Sequence, residues 1–392
     1  MVDFIIIFVL LFGFNQMLYN SLKKKFSFFD KKLMMKLYWY HLFFFLFYYI
    51  YTLYNFSDSI QYYYLVSHNE MFVPTFDSGT KFIMFFIFPF VRIGLSYLSV
   101  MLICSWMGYL GFVFAYTFFK ENITINVTVF KRYDLLTLLL FLPNMHFWTV
   151  SIGKGSLIFF GLMLFTYAVK LPQKRFIVFL IGGFFVYMVR PHVMLFVLVG
   201  VMIGILTGKG KIKASVKILV VILSVAFLVA ASSSILAVAK LENSKNVVDD
   251  FEQFSVSRSE GLAKNSGSSV DISSYPLPLK FFTFWFRPLF FDSPSVLGIF
   301  SSAENLVYLL LFFKICNRRF VKFIRRAPYM VKMSAITFLL SSFALTFVMS
   351  NLGIIMRQKS MVMYFGFFVI YYFLANEKWL QMQKSRPETV SS

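Results

Sequence analysis

Charged side chains are scarce in this chain. Asp, Glu, Lys and Arg make up 14% of its 392 residues, against roughly 25% in a typical soluble domain. A water-soluble protein of this length needs far more polar surface to cover its core. The shortage therefore excludes a soluble enzyme, a disordered chain and a nucleic-acid-binding domain. Cysteine is scarcer still: Cys104 and Cys316 both lie in apolar stretches, so neither a disulfide framework nor a zinc site can be argued. His41, His68 and His146 are scattered along the sequence, and no metal-ligand spacing is present. The nucleotide-binding pattern Gly-x4-Gly-Lys-Ser/Thr is missing, and no cofactor is called for. The start, Met-Val-Asp followed by Phe4 to Phe14, has no basic stretch and no small-residue cleavage site, so it reads as a retained first span. No internal repeat is visible, which removes the inverted-repeat signature of many secondary transporters.

What fills the sequence is apolar. Hydrophobic residues make up 59%, with 55 Phe and 22 Tyr. A bilayer-crossing helix needs about 20 mainly apolar residues. Such runs occur at 2–20, 37–55, 93–119, 134–150, 155–170, 176–190, 193–207, 216–239, 294–314, 329–349 and 360–376. The fold class expected is all-α: a polytopic membrane bundle of about eleven transmembrane helices forming one transmembrane domain over 1–392. The stretch 80–92 is apolar too, but it holds Pro89 and Arg92 and reads as an interfacial or re-entrant segment. Residues 240–280 form the one long polar segment, rich in Ser, Asn, Asp, Glu and Lys. Together with an aromatic interfacial segment from Phe281 to Asp292 they make a long loop over 240–293.

The basic residues assign the sides. Lys23, Lys24, Lys25, Lys31, Lys32 and Lys36 follow the first span, and every second connection afterwards is also basic. Those connections and the C-terminal tail carry 26 Lys+Arg and 5 Asp+Glu, against 12 and 12 on the other side. The net charge of +21 therefore falls on one face. This is the positive-inside pattern, with the N-terminus outside and the C-terminus inside. The charge is a topology signal and not a nucleic-acid footprint.

Charges within or beside apolar spans are costly and mark functional candidates. On this topology they cluster at the external ends of spans. Asp58, in Asn55-Phe-Ser-Asp-Ser, is a candidate general base or ligand of a sugar hydroxyl; Ser57, Asp58 and Ser59 are equally candidate helix caps. Lys154 lies between two glycines in Phe147-Trp148-Thr-Val-Ser-Ile-Gly-Lys-Gly155, where a following helix N-terminus attracts an anion; a lysine at a span end also snorkels. Arg190 is held at a helix break by Pro191. It can fork onto phosphate oxygens, and His192 beside it can carry a proton; pairing with lipid headgroups is the plainer role for this arginine. Arg287, in Arg-Pro-Leu-Phe-Phe-Asp292, repeats the Arg-Pro arrangement. Glu304, inside an apparent span, needs a partner that Arg287 or Arg357 could supply. Arg357 and Lys359, with Asn351 and Gln358, form a polar patch between the last two spans, suited to an anion. Most Phe and Tyr face lipid or fill helix contacts. Tyr62, Tyr63, Tyr64, Phe147, Trp148, Trp285 and Phe286 fall near the polar set and are candidates to stack on sugar faces.

Cations converging on one face, with acids and bases beside them, suit a membrane-anchored anionic substrate such as a lipid-linked sugar pyrophosphate. Phe147-Trp148 with Gly153-Lys154-Gly155, Arg190-Pro191-His192, the long loop followed by Arg287-Pro288, and Asn351-Leu-Gly with Arg357 together resemble polytopic bacterial polysaccharide polymerases of the Wzy type. More distantly they resemble lipid-sugar-using (GT-C) glycosyltransferases. The resemblance covers most of the chain as architecture and these short pieces as motif; Gly155 stands where many relatives carry an acidic residue. It implies a metal-independent glycosyltransferase in the bacterial cytoplasmic (inner) membrane. Such an enzyme transfers a growing glycan from undecaprenyl pyrophosphate onto another lipid-linked repeat unit, for an O-antigen, capsule or exopolysaccharide. Arg190, Arg287 and Arg357 are the positions it implies for substrate binding. Asp58 and His192 are the catalytic candidates, and Lys154, Glu304 and Trp148 complete the substrate set. The implied partners are the undecaprenyl-pyrophosphate-linked oligosaccharide, membrane lipid and a chain-length regulator protein. A flippase or transporter, a non-catalytic polysaccharide-export subunit, and an O-antigen ligase acting on a similar donor are the competing expectations.

Overall fold

In the computed structural model the described chain is predominantly helical, with almost no sheet. The described residues are 1–68, 71–210, 213–230, 275–292, 296–348 and 352–385. In chain order the helices are α1 (Val2–Lys25), α2 (Lys31–Tyr54), α3 (Asp58–Ser67), α4 (Thr80–Arg92), α5 (Tyr97–Asn122), α6 (Leu135–Leu140), α7 (Pro143–Thr149), α8 (Lys154–Val169), α9 (Phe176–Val189), α10 (Pro191–Thr207), α11 (Ala214–Ala230), α12 (Leu277–Phe286), α13 (Val296–Phe313), α14 (Arg318–Arg326), α15 (Tyr329–Val348) and α16 (Leu352–Lys384). A two-stranded antiparallel hairpin, β1 (Thr128–Val129) and β2 (Tyr133–Asp134), lies between α5 and α6. Most of the expected loop over 240–293 falls outside the described residues, as does Asn351.

Among the described residues three helices are long and apolar enough to cross a membrane: Val2–Lys25, Tyr97–Asn122 and Tyr329–Phe347. The bent pair Gly298–Phe313 and Arg318–Arg326 makes a fourth if it counts as one span. These helices support a membrane protein. Several other apolar runs form shorter helices, among them Lys154–Val169, Phe176–Val189 and Pro191–Thr207. The run 134–150, read as one span, is broken at Phe141-Leu142 between α6 and α7. Pro143 supplies no N–H and holds Leu142 extended at φ −66°, ψ 125°, so α7 starts afresh with proline in its first turn.

Local chemistry sets the helix ends. Asp30 caps α2 by accepting from the N–H of Leu33 at 3.0 Å, Ser57 caps α3 from Ser59 at 3.2 Å, and Asn317 caps α14 from Phe320 at 2.9 Å. Each satisfies one orphan donor. In α1, Asp3 lies in the first turn and Lys23, Lys24 and Lys25 in the last, an order that complements the helix dipole.

The chain packs as two compact units. The first comprises Met1–Phe118 and Phe141–Leu195. Within it, Asp3 accepts from the backbone and hydroxyl of Ser96 and the hydroxyl of Ser99 at 2.5–2.9 Å, which ties the start of α1 to the start of α5. Deeper in, Trp106 donates to Asn15 at 2.9 Å. The scattered histidines also meet here: His41 and His146 lie Nδ1 to Nδ1 at 2.9 Å, both buried. His41 Nε2 faces the Ser105 carbonyl at 3.0 Å, so it carries the proton. His41 Nδ1 then accepts from His146. His146 stacks flat on Phe112, centroids 4.0 Å apart.

The second unit comprises Phe119–Leu140, Phe196–Ala230 and the described residues from 275 onward. A close seam in it joins α10 to α15. A Cβ on Gly200 would fall 2.2 Å from Thr337 Oγ1, one on Gly204 2.8 Å from the Met333 nitrogen and the Tyr329 carbonyl oxygen, and one on Gly208 2.3 Å from Tyr329 Cα. Glycines at intervals of four meet residues at intervals of four, the small-residue packing that lets membrane helices approach closely.

Candidate functional site

In the first unit the site is built by an antiparallel helix pair. Gly161 of α8 meets Phe185 and Gly182 of α9, and Gly182 meets Phe165 in turn; Phe165 also packs on Phe179 at 4.5 Å. As residue numbers rise along α8 they fall along α9. The first residue of α8, Lys154, therefore lies at the same end as Arg190, which caps the C-terminus of α9. A helix start and a helix end separated by 36 positions in sequence are brought together by this register.

Arg190 sits at the break that Pro191 imposes. Its N–H still bonds back to Val186 at 2.9 Å, and its carbonyl already accepts from Val193 and Met194 at 3.0 and 3.2 Å. The residue belongs to neither helix and only 8% of its surface is exposed. Pro191 opens α10, and the half-buried His192 follows within the electrostatic reach of both Arg190 and Lys154. The Lys154 ammonium lies 3.8 Å from where a Cβ on Gly79 would stand. Gly79 is the residue before α4, and its N–H donates to the Met188 carbonyl at 2.7 Å. Its φ of +76° is a conformation glycine adopts without cost. The N-termini of α4, α8 and α10 thus converge with Lys154, Arg190 and His192. Each N-terminus carries roughly half a positive charge from its unpaired N–H groups, so the three add to the side-chain charge. Asp77 stands nearby, held by Lys81 at 2.9 Å and the N–H of Ser78 at 2.6 Å. These bonds keep its carboxyl below the usual carboxylate range.

Two more expected residues border this site. Trp148 closes α7, where its indole donates to Asn144 at 3.1 Å. Its carbonyl oxygen would lie 2.1 Å from a Cβ on Gly155, so only glycine permits the α7–α8 elbow that presents Lys154. Asp58 begins α3, and Ser57, not Asp58, is the cap. Ser59, one residue on, accepts from the N–H of Ile152 at 3.2 Å and bonds Tyr97 at 2.9 Å. The start of α3 is thereby fastened to the loop that leads into Lys154. Phe147 packs on Tyr48 and Tyr51.

The second unit holds the other candidates in a different arrangement. Arg287 donates to Asp292 through Nε at 3.0 Å and Nη2 at 2.5 Å, and the N–H of Leu289 adds a bond at 2.7 Å. Burial pushes the Asp292 carboxyl up, but the Arg287 guanidinium and the Leu289 N–H outweigh it and hold the carboxyl below its ordinary value. Arg287 thus serves a side-chain pair five residues long. Glu304 is buried and accepts from the Tyr308 hydroxyl. Lys359 acts on its charge, a cation not included in the sequence expectation of Arg287 or Arg357. Lys359 is fully buried; it donates to Asn305 Oδ1 at 2.6 Å and to the carbonyls of Arg287 and Trp285 at 2.9 and 3.3 Å. Asn305 in turn donates to the Pro288 carbonyl at 2.7 Å. The connection expected around Arg357 is helical from Leu352 onward. Arg357 lies half-buried on the second turn of α16, and its carbonyl accepts from Ser360 at 2.9 Å. Trp285 donates to Ser342 at 2.9 Å, inside the helix packing. Asn305, Tyr308 and the inward role of Lys359 carry no local sequence signal. Gly79 has one, the Asp77-Ser78-Gly79 turn.

No family model, no curated protein and no solved structure matches this chain. Its site must be judged on geometry. Among the described residues no group of three or more His, Cys, Asp and Glu side chains comes together. The first unit offers concentrated positive charge at a partly open position. The second offers the buried Lys359–Asn305 network, which holds the carbonyls of Trp285, Arg287 and Pro288.

Proposed function

We propose that the protein is a membrane-embedded glycosyltransferase that polymerises lipid-pyrophosphate-linked oligosaccharide repeat units into a surface polysaccharide. The observation that carries this reading is the convergence of three helix N-termini with Lys154, Arg190 and His192 in the first unit. A pyrophosphate carries its charge on oxygens that such a site receives. In this reading, which follows the basic connections of the sequence, these residues face the exterior of the bacterial cytoplasmic membrane, with about eleven crossings, the N-terminus outside and the C-terminus inside.

In the reaction, the bond from the donor sugar's anomeric carbon to the pyrophosphate oxygen breaks. A hydroxyl of the acceptor glycan forms the new glycosidic bond. Lys154 and Arg190 hold the pyrophosphate and stabilise the charge that develops as it leaves. Asp58 or His192 takes the hydroxyl proton. Trp148 and Phe147, beside the elbow, provide stacking faces for sugar. In this reading Arg287 and Glu304 bind substrate by exchanging the side-chain partners described above, and Arg357 is the third ligand from the second unit.

Proteoliposomes holding the purified protein and lipid-pyrophosphate-linked repeat units test the reading. A ladder of longer lipid-linked glycans that survives EDTA and disappears in Arg190→Lys is the expected result, because a lysine keeps the charge but loses the bidentate fork. Substrate moved between leaflets with no ladder would replace the polymerase by a flippase. Neither activity would leave a structural role or a missing partner.

A further inference from the structure

The most amphipathic of the described helices takes no part in either cluster. α14 reads Arg318-Arg-Phe-Val-Lys-Phe-Ile-Arg-Arg326. At 100° per residue, Arg318, Arg319, Lys322, Arg325 and Arg326 fall in one arc, and Phe320, Phe323 and Ile324 fall opposite. The structure uses the apolar arc. Phe320 and Phe323 pack on Phe373 of α16 at 5.3 and 5.4 Å, and Phe323 also on Tyr372. All five cations are exposed.

The position of the helix is as informative as its pattern. α14 leaves the apolar segment Gly298–Phe313 at 80°, so when that segment crosses a bilayer, α14 lies nearly in the plane of its surface. Both ends are fixed. Asn317 caps the start, and at the far end the Ala327 carbonyl accepts from Lys209 at 3.1 Å, which adds an exposed Lys209 to the charged side. Arg319 meets Glu377 at 3.3 Å with the arginine side chain largely in solvent, a surface contact that contributes little. Beyond Glu377 on α16, Trp379 is 47% exposed, as expected of a side chain at the bilayer–water boundary.

We propose that α14 is a binding site for anionic phospholipid headgroups. A row of exposed cations on a rigid helix, at the end of an apolar segment and tilted onto the surface, matches the negative charge of such lipids. The occupant is the bilayer's own lipid. The proposal rests on the membrane-spanning reading and is independent of the polymerase chemistry.

The test uses the full-length chain in phosphatidylcholine vesicles carrying spin-labelled phosphatidylglycerol or, separately, spin-labelled phosphatidylcholine. The readout is the relative association of each label with the protein at low and high salt. The wild type should favour phosphatidylglycerol, and high salt should erase the preference. A variant with Gln at 318, 319, 322, 325 and 326 should lose it, at about fivefold for each cation that engages a headgroup. The variant with Lys at the four arginine positions should keep it. Equal preference in the wild type and the Gln variant overturns the proposal, as does a wild type with no preference or one indifferent to salt. If the Gln variant does not reconstitute, salt dependence in the wild type and retention in the Lys variant decide. A wild type that does not float with vesicles overturns the membrane reading itself.

Discussion

Replacing Lys359 by Met should strongly destabilise the second unit. The ammonium is fully buried and donates to Asn305 Oδ1, the Arg287 carbonyl and the Trp285 carbonyl. Met has similar length and fills the space, so little of the loss comes from a cavity. Two good acceptors, at 2.6 and 2.9 Å, lose their donor, at roughly 1–3 kcal/mol each when left unsatisfied. Glu304, whose charge Lys359 offsets, loses that cation and keeps its bond from Tyr308. The desolvation cost of the ammonium itself is recovered, so the net loss should be about 3–5 kcal/mol, the range for removing one partner of a buried charge pair. The assay is denaturant-induced unfolding in mixed micelles, following tryptophan fluorescence, with Trp285 adjacent to the lost bond. Adding Glu304→Gln to Lys359→Met should restore at least 1 kcal/mol, because the buried charge of Glu304 is then removed as well. A single mutant within about 0.5 kcal/mol of wild type, or a double mutant no more stable than the single, would refute the assignment of this network as a backbone lock.

Four further outcomes follow from the geometry. Gly155→Ala drives a Cβ to 2.1 Å from the Trp148 carbonyl oxygen; the α7–α8 elbow must shift, at a cost of about 1–3 kcal/mol, and glycan-ladder formation should fall as Lys154 is displaced. Gly204→Leu should destabilise by a similar amount through the α10–α15 seam, whereas Gly13→Leu on α1, with nothing within 4 Å, should leave the unfolding midpoint unchanged. The Arg287–Asp292 pair should contribute stability that is fully present above the unfolded carboxylate value of about 4. Because the native carboxyl lies lower, that contribution is lost as pH falls below about 4 and through the native value, and Asp292→Asn should flatten this part of the stability–pH curve. His41→Phe leaves the His146 N–H and the Ser105 carbonyl without their present partner, which should cost about 1–3 kcal/mol in the same unfolding measurement.

Composition alone settled that the chain is helical and apolar enough for a membrane, because a bilayer leaves backbone groups no partners outside a helix or closed barrel. Proline positions were legible too: Pro191 held Arg190 at a break and Pro143 opened a helix, since each removes a backbone donor wherever it sits. The positive arc of α14 and the glycines at 200, 204 and 208 could also be read from spacing, as both depend on helical periodicity. Tertiary structure decided the rest. Lys154 and Arg190 lie at one end of the helix pair because α8 runs antiparallel to α9, and the N-terminus of α4 joins that end through a bond from Gly79 to Met188. Arg287 and Lys359 looked alike as cations beside apolar runs, yet one forks onto Asp292 and the other turns inward to carbonyls and Asn305. Sequence shows that a buried charge needs a partner. Which group supplies it depends on which helix faces pack together, and that is fixed by contacts between residues far apart along the chain.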